Sequence, residues 1–183
     1  ANDEANFLYL MCELYEPKNI LVIGNSYGFS MTFLSLANPD AKVIGFDKFR
    51  TNGIEVTKNL IKDLNNKWVV KGSTPDDIPK LTETYLDGSI DLVLVDAVHT
   101  NEMQTAEWSK YLPYLSDSAV VVFHDVLSCG LLESYEALNA QYKTDFEFRL
   151  VLKSSSGMGL AIRKQNFEKH ENLFDYFCPK TSS

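Results

Sequence analysis

Short apolar runs recur along this chain, and each is followed by a turn and then by apolar residues at helical spacing. The runs lack an alternating polar face, which is typical of strands buried on both faces of a parallel sheet. Strands that alternate with helices in this way predict right-handed crossovers, with helices on both faces of the sheet. The five predicted parallel strands are Ile20–Ile23, Lys42–Asp47, Trp68–Val70, Ile90–Val95 and Ala119–Phe123.

The segments between the strands carry apolar residues three and four apart, the spacing of one helix face. An N-terminal helix is predicted over Asp3–Glu16, with Pro17 ending it. Thr74 to Asp77 predict another helix start, with the Thr74 hydroxyl as the cap and Pro75 in the first position. The predicted inward-facing residues are Val56, Leu60, Ile61 and Leu64; Ile78, Leu81 and Tyr85; Met103, Ala106 and Tyr111 within Asn101–Tyr114; and Leu131, Leu132, Tyr135, Leu138 and Tyr142.

The pattern changes after Tyr142. Phe146–Leu152 and Met158–Arg163 are apolar segments joined by a short polar loop, which predicts an antiparallel hairpin. We therefore predict one α/β domain over residues 1–183, with an N-terminal helix in 1–18 and a partly helical tail in 165–183 that covers the sheet edge. Its sheet is Rossmann-like and doubly wound: five parallel strands plus the C-terminal antiparallel hairpin, seven strands in all.

The turn after the first strand carries candidate chemistry. Gly24 to Gly28 open a helix beside a strand end, where free backbone N–H groups and the helix dipole favour a carboxylate, a phosphate or a ribose. Asp47 ends the second strand nineteen residues after Gly28, where a carboxylate can accept hydrogen bonds from ribose hydroxyls. These residues predict a nucleoside-containing cofactor. The alternative is that the glycines only allow tight turns.

Composition narrows the classes of partner. The net charge of −8 argues against a broad surface for RNA or DNA. No apolar run approaches the roughly 20 residues that a membrane helix needs. Cys12, Cys129 and Cys178 are scattered, with neither a disulfide framework nor the spacing of zinc ligands, which fits a reducing compartment. We therefore expect a cytoplasmic protein with a small-molecule partner, no nucleic acid and no membrane.

The order of these elements resembles the class I S-adenosylmethionine-dependent methyltransferases, and the resemblance extends from Asn19 to about Lys164. In that family the terminal antiparallel hairpin distinguishes the sheet from other Rossmann-like sheets. The chain is most similar to the small-molecule O-methyltransferase-like branch, where strand four ends in Asp-Gly-x-His-Ser-Tyr and strand five ends in His-Asp. The corresponding segments here are Asp96-Ala97-Val98-His99-Thr100-Asn101 and His124-Asp125.

The resemblance implies S-adenosylmethionine as the cofactor and a hydroxyl group of a small molecule as the methyl acceptor. Asp47 would hold the ribose, and Asp96 would lie beside the methionine moiety or bind a metal. Val22 departs from the family, whose members usually carry there an acid that helps to order the cofactor's ammonium group; Ala97, Val98 and Asn101 also differ. The other implied roles are wrapping of the methionine end by Gly24, Asn25, Ser26 and Gly28, contact with the adenine edge by Gly72 and Ser73, and a catalytic, substrate-facing position for His99, His124 and Asp125.

A hydroxyl acceptor must lose its proton as the methyl group arrives. A histidine can take that proton directly. A divalent cation such as Mg²⁺ or Mn²⁺, held by Asp96 and Asp125, would instead lower the pKa of the hydroxyl. Structural alternatives are that Asp96 caps the following helix and that His124 is a hydrogen-bonded buried histidine orienting Asp125. We interpret Trp68 and Trp108 as packing residues.

Two other functions fit the same topology. An NAD(P)-dependent oxidoreductase would favour Gly-x-Gly-x-x-Gly, but Ser26 occupies the position of the middle glycine. A degenerate methyltransferase fold acting as a binding or assembly module is favoured by Val22 and the altered strand-four motif, and opposed by the retained acids and histidines. The short loops supply little material for a substrate lid, so we expect an acceptor pocket that is open, or completed by a second copy of the chain or an additional domain.

Overall fold

The computed structural model describes residues 2–48, 52–151 and 154–178. Its strands are β1 Asn19–Ile23, β2 Lys42–Asp47, β3 Lys67–Lys71, β4 Ile90–Val95, β5 Leu115–Phe123, β6 Phe146–Val151 and β7 Met158–Arg163. Its helices are α1 Asn2–Tyr15, α2 Phe29–Ala37, α3 Gly53–Ile61, α4 Ile78–Leu86, α5 Asn101–Tyr111, α6 Leu132–Tyr142, α7 Lys164–Phe167 and α8 Glu171–Phe177. The strands form one seven-stranded sheet in the order β3-β2-β1-β4-β5-β7-β6.

The topology confirms the predicted fold. Strands β1 to β5 are parallel, and β7 runs antiparallel to both β5 and β6. At the centre of the sheet, Leu21 of β1 pairs with Ile44 of β2 on one side and with Val93 of β4 on the other. The strand order therefore reverses between β1 and β4, and a crevice forms beyond their carboxyl ends.

The core has one layer on each face of the sheet. Ile20 and Val22 face the layer that contains buried residues of α1, α2, α3 and α8. Leu21 and Ile23 face the opposite layer, which α4, α5 and α6 cover. Both sides of β1 are thus apolar, which explains why its sequence shows a continuous run and no alternation.

Both tryptophans pack as interpreted from the sequence. Trp108 is buried in the second layer, with its ring centroid 5.6 Å from that of Tyr111 and 6.0 Å from that of Phe123. Trp68 packs against Tyr85 with the ring centroids 5.3 Å apart.

The helix start predicted at Thr74 and Pro75 is wrong. Helix α4 begins at Ile78 and has Asp77 as its N-cap residue, so Thr74 and Pro75 belong to the loop after β3. The Thr74 hydroxyl does not cap this helix, because it donates a hydrogen bond to the Glu107 carboxyl of α5 instead.

The inner faces of two helices also differ from the prediction. In α3, Leu60 is exposed, and the buried positions include Ile54, Thr57 and Ile61. In α5 the buried positions are Gln104, Glu107, Trp108 and Tyr111, whereas Met103 and Ala106 are only partly buried. Gln104 and Glu107 therefore occupy buried positions, although the apolar spacing predicted that their neighbours would face the core.

The C-terminal segment covers the first core layer. Phe167 and Phe174 are buried and stacked, with ring centroids 5.0 Å apart. Cys178 is buried in the same layer. Leu152, Lys153 and residues 179–183, parts of the predicted hairpin and tail, lie outside the described residues. None of the helices described here combines the length and the apolar character needed to cross a membrane.

Candidate functional site

A cavity of about 760 Å³ opens in the crevice beyond β1 and β4. Apolar side chains of Phe46, Ile54 and Met103 form part of its wall. The cavity therefore offers a flat apolar slot bordered by polar groups, the combination that holds most small-molecule cofactors. Seven of the residues predicted from the sequence also line it: Gly24, Ser26, Asp47, Gly72, Ser73, Asp96 and His99.

Glycine is required at two positions of the loop after β1. The backbone there has a positive φ and also lies very close to neighbouring elements. Gly24 has φ +91°, and a Cβ atom there would overlap with the carbonyl group of Asp96 at the end of β4. Gly28 has φ +84°, and a Cβ atom there would overlap with the Thr57 side chain of α3. The loop is thus pressed against both neighbouring elements, which only glycine permits at these two positions.

The Asp47 carboxylate holds the backbone of this loop. Its Oδ2 accepts hydrogen bonds from the N–H of Asn25 over 3.0 Å and from the N–H of Ser26 over 2.8 Å. Among the residues that the structure describes, none donates a hydrogen bond to Oδ1 of Asp47. One oxygen of Asp47 therefore orders the loop.

Asn25 contributes its backbone and not its side chain to the loop surface. The residue is 4% exposed, and its Nδ2 donates to Thr57 Oγ1 over 2.8 Å and to the carbonyl of Ser26 over 3.1 Å. Ser26 is exposed, has φ +45° and lines the cavity. Gly28 lies at the start of α2 and is not among the residues that line the cavity.

At the other end of the cavity, the loop after β3 forms a rim. The Gly72 N–H donates to the carbonyl of Asp47 over 3.0 Å, and the Ser73 N–H donates to Asp77 Oδ2 over 2.7 Å. A Cβ atom on Gly72 would come within 3.0 Å of the Phe46 ring. Gly72 thus allows the rim to lie directly on the apolar wall.

Four side chains that follow β4 and β5 form a closed ring of contacts between carboxylate oxygens and imidazole nitrogens. The members of this ring are Asp96, His99, His124 and Asp125. His99 Nε2 lies 3.5 Å from Asp96 Oδ1 and 3.4 Å from Asp125 Oδ2. His124 Nδ1 lies 3.5 Å from Asp96 Oδ1 and 3.0 Å from Asp125 Oδ2. The parallel pairing of β4 with β5 produces this meeting, because their carboxyl ends lie side by side.

The charges of this ring shift one another's pKa values. Burial raises the pKa of Asp96 more than the neighbouring histidines lower it. Burial alone would lower the pKa of His124, but the carboxylates of Asp96, Asp125 and Glu4 reverse the effect and raise it. Burial alone would raise the pKa of Asp125. The hydrogen bond from Ser128 and the nearby histidines outweigh burial, so the pKa of Asp125 is below its ordinary value. The ring therefore favours charged carboxylate at Asp125 and a proton on His124.

The structural alternative for Asp96 is wrong. The helix after β4 is capped by Thr100, whose Oγ1 accepts from the N–H of Met103 over 3.2 Å, so Asp96 is not its cap. The alternative for His124, that it orients Asp125, stays open, because its Nδ1 lies 3.0 Å from Asp125 Oδ2. Asp125 has φ +58°, a backbone conformation that costs about 1–3 kcal/mol and is found most often at functional sites.

Glu4 is a site residue that the sequence did not reveal. Its Oε1 accepts from the Ser156 N–H over 2.9 Å, from Ser156 Oγ over 2.7 Å and from Ser155 Oγ over 3.1 Å. Its Oε2 lies 3.7 Å from Nε2 of His124. Helix α1 and the loop between β6 and β7 are therefore joined beside His124.

The ring contains donors that suit a divalent cation. Asp96, His124 and Asp125 offer three ligand atoms within 4.8 Å of one another, and so do His99, Asp125 and Cys129. Carboxylate and imidazole ligands fit Mn²⁺ and related ions, and carboxylates alone fit Mg²⁺.

Three solved structures with this fold come from bacteria. The O-methyltransferase TomG of Streptomyces achromogenes, involved in tomaymycin synthesis and solved with S-adenosylmethionine, is 20% identical with a TM-score of 0.73, over 89% of this chain and 80% of its own. The O-methyltransferase of Bacillus cereus, in complex with S-adenosylhomocysteine, is 19% identical with a TM-score of 0.73, over 90% and 82%. A methyltransferase from Geobacter sulfurreducens is 19% identical with a TM-score of 0.68, over 87% and 77%.

At the level of sequence, curated proteins give no significant match. A family model described as "Methyltransferase domain" matches residues 21–126, which include most of β1, the loop after it and all four residues of the ring. This match overturns the oxidoreductase alternative. The chain belongs to the methyltransferase-domain family and is a class I S-adenosylmethionine-dependent methyltransferase.

Proposed function

We propose that this methyltransferase transfers the methyl group of S-adenosylmethionine to a hydroxyl group of a small molecule. The observation that carries the proposal is the ring of Asp96, His99, His124 and Asp125 at the end of the cavity. Such a ring supplies both a base for the hydroxyl proton and carboxylates that could hold a cation. The similar fold of two enzymes named O-methyltransferases supports the same reading.

In this proposal the cofactor spans the cavity from the loop after β1 to the loop after β3. Gly24 and Ser26 approach its methionine end through their backbone, and Oδ1 of Asp47 accepts from a ribose hydroxyl. The adenine lies between the apolar wall and the rim formed by Gly72 and Ser73. This orientation directs the sulfonium methyl group towards Asp96 and the ring.

The protein's part in the transfer is positioning and removal of a proton. A bond forms between the acceptor oxygen and the methyl carbon while the bond from sulfur to that carbon breaks, leaving S-adenosylhomocysteine. The acceptor's proton passes to an imidazole of the ring: to His99, or to His124 when the latter is in its neutral form. The adjacent carboxylates of Asp96 and Asp125 stabilise the imidazolium that results.

Asp96 and Asp125 are the proposed ligands of a divalent cation such as Mg²⁺. The cation would lower the pKa of the acceptor hydroxyl and so reduce the demand on the histidines. Asp125 favours this role because Ser128 Oγ donates to its Oδ1 over 2.5 Å, which leaves Oδ2 directed at the ring.

Isothermal titration with S-adenosylmethionine and with NAD tests the cofactor. We expect binding of the first and none of the second. A protein that binds neither would contradict the proposed function and would favour the binding-module alternative.

Transfer of a labelled methyl group to a panel of hydroxylated small molecules tests the reaction. Once an acceptor is found, His99→Ala, His124→Ala and Asp125→Ala should each slow turnover, whereas His170→Ala should not. His170 is a matched control because it packs edge-on against Tyr15, with ring centroids 5.6 Å apart, and takes no part in the ring. A chelator that abolishes turnover would favour the cation; resistance to it would favour direct proton removal by histidine. Wild-type rates in all three ring variants would show that the site is assigned wrongly.

Two expectations from the sequence stay predictions. An acceptor pocket completed by a second copy of the chain or by a further domain is tested by sedimentation of the purified protein with and without cofactor. A cytoplasmic location is tested by fractionation of the source cells.

A further inference from the structure

The loop between β6 and β7 lies directly against the segment that follows β5. The carbonyl of Ser156 accepts hydrogen bonds from the N–H of Leu127 over 3.3 Å and from the N–H of Ser128 over 3.1 Å. Gly157 has φ +67°, and a Cβ atom there would overlap with the Leu127 side chain. The two segments are therefore packed together, and the backbone of Ser128 is held by Ser156.

The segment after β5 also carries the side chain that orients Asp125. Ser128 Oγ lies 2.5 Å from Asp125 Oδ1 and 3.2 Å from the carbonyl of Ser156, so its one hydrogen goes to the nearer carboxylate oxygen. The other oxygen, Oδ2, lies 3.0 Å from His124 Nδ1 and 3.4 Å from His99 Nε2. The direction of the Asp125 carboxylate thus depends on where the Ser128 backbone is held.

Glu4 of helix α1 holds the loop between β6 and β7 from its other side. Its Oε1 accepts from the N–H and the Oγ of Ser156 and from Ser155 Oγ. The Glu4 side chain is only 15% exposed and Ser156 is 7% exposed, so water competes little for these bonds. Hydrogen bonds to a carboxylate in such surroundings are stronger than those between neutral groups.

A continuous series of hydrogen bonds therefore joins α1 to the ring. It runs from Glu4 to Ser156, from Ser156 to Ser128 and from Ser128 to Asp125, and we call it the Glu4–Asp125 link. Glu4 also faces the ring directly, since its Oε2 lies 3.7 Å from His124 Nε2. Glu4, Ser156 and Ser128 are not among the residues that line the cofactor cavity. Breaking the link should therefore disturb the ring and leave the cofactor's contacts intact.

We propose that Glu4 is a positioning residue for methyl transfer, acting through Ser156 and Ser128 on the carboxylate of Asp125. Helix α1 is then part of the acceptor site: it holds the loop that fixes Asp125, although Glu4 touches none of the reacting atoms. The proposal rests on the proposed function, because it takes Asp125 to act on the acceptor. It makes the rate of transfer, and not the affinity for the cofactor, depend on Glu4.

Amide hydrogen exchange followed by NMR tests the link without any methyl acceptor. In Glu4→Ala, the amides of Leu127 and Ser128 should exchange about tenfold faster or more, because the carbonyl that accepts from them is no longer held. Exchange in residues 24–28 should not change. Asp3→Ala is the matched control, because Asp3 is an exposed acid in the same first turn of α1, and its exchange rates should equal those of the wild type. Unchanged exchange at Leu127 and Ser128 in Glu4→Ala would overturn the proposal.

Methyl transfer to an acceptor found by screening tests the positioning. Glu4→Ala and Ser128→Ala should each lower kcat about tenfold or more, while KM for S-adenosylmethionine stays within about twofold of the wild type. Asp3→Ala should match the wild type, and Ser128→Thr, which keeps the hydroxyl, should retain most of kcat. Ser128 is exposed, so its variants test the link even if Glu4→Ala folds poorly.

The double variant shows whether the two residues act in one series. Because both changes break the same link, Glu4→Ala combined with Ser128→Ala should be less than about threefold slower than the slower single variant. Multiplied effects in the double variant, or a wild-type kcat in either single variant, would overturn the positioning role while leaving the proposed function intact. A wild-type protein that binds no S-adenosylhomocysteine would overturn both.

Discussion

Replacement of Glu107 by glutamine should remove a large part of the pH dependence of stability. The carboxyl group is 1% exposed, and burial raises its pKa to about 7 from the ordinary value of 4.5. Between pH 4.5 and pH 7, the folded protein therefore keeps a proton on Glu107 that the unfolded chain has released. The stability that this proton contributes is complete below about pH 4.5 and is lost as the pH rises through 7.

The size of the effect follows from the difference between the two pKa values. A difference of about 2.5 units corresponds to about 3 kcal/mol in the free energy of unfolding. Most of this change falls between pH 5 and pH 8.5. Glu107→Gln carries no ionisable group, so its free energy of unfolding should decline by about 2–3 kcal/mol less than that of the wild type over this interval.

Urea unfolding at pH 5, 7 and 8.5, followed by circular dichroism, measures this difference. Glu102→Gln is the control, because Glu102 lies on the same helix with an exposed side chain. Its pH dependence should match that of the wild type. Parallel pH profiles for Glu107→Gln and the wild type would mean that Glu107 ionises as readily in the fold as in the unfolded chain, and the argument from its burial would be refuted.

Three further substitutions test the loop after β1 and the two strands, β1 and β2, that position it. Asp47→Ala should weaken binding of S-adenosylhomocysteine by about one to two orders of magnitude in a calorimetric titration, since both the charge-assisted ribose contact and the two loop bonds are lost; equal affinity would contradict the placement of the ribose. Gly28→Ala should destabilise the fold by about 1–3 kcal/mol in urea, because its φ of +84° is strained for alanine and the new methyl group meets Thr57; a wild-type midpoint would refute this. Val22→Glu places a carboxyl group at a position that is 0% exposed, so the melting temperature should fall, and any gain in cofactor affinity should not restore it. A rise in melting temperature would show that the site accommodates the acid.

The sheet could be predicted because its signal is local. Each central strand is buried on both faces, so its sequence is a continuous apolar run, as in Ile20–Ile23 and Leu92–Val95. Parallel strands then bring their carboxyl ends to one edge without any further information. That is why the predicted meeting of Asp96, His99, His124 and Asp125 agrees with the structure.

The buried face of α5 could not be read in the same way. Apolar spacing selects Met103 and Ala106, but the core positions hold Gln104 and Glu107. A polar residue is accepted there only because a distant group bonds to it, such as Thr74 at Glu107. The prediction that Thr74 caps a helix is wrong for the same reason. Its hydroxyl bonds to a partner 33 residues away, whereas capping preferences consider only neighbouring residues.

Glu4 shows the limit of reading motifs along the chain. Its partners Ser155 and Ser156 are 151 and 152 residues away, and acids in the first turn of a helix are common for reasons of the helix dipole alone. Nothing in the sequence near Glu4 distinguishes it from Asp3 beside it. Only the packing of α1 against the hairpin loop selects it.

The bonds from Ser155 and Ser156 to Glu4 also bear on the order in which the molecule is made. The loop bonds of Asp47 need no residue beyond position 47, and the Thr74 bond needs none beyond 107, so a growing chain holds all the parts of the cofactor crevice well before its hairpin has left the ribosome. The wall beside His124 joins the fourth residue to the 156th, and loop closure of that length is slow. During synthesis the crevice can therefore assemble first, and the acceptor side can close only when the last strands arrive.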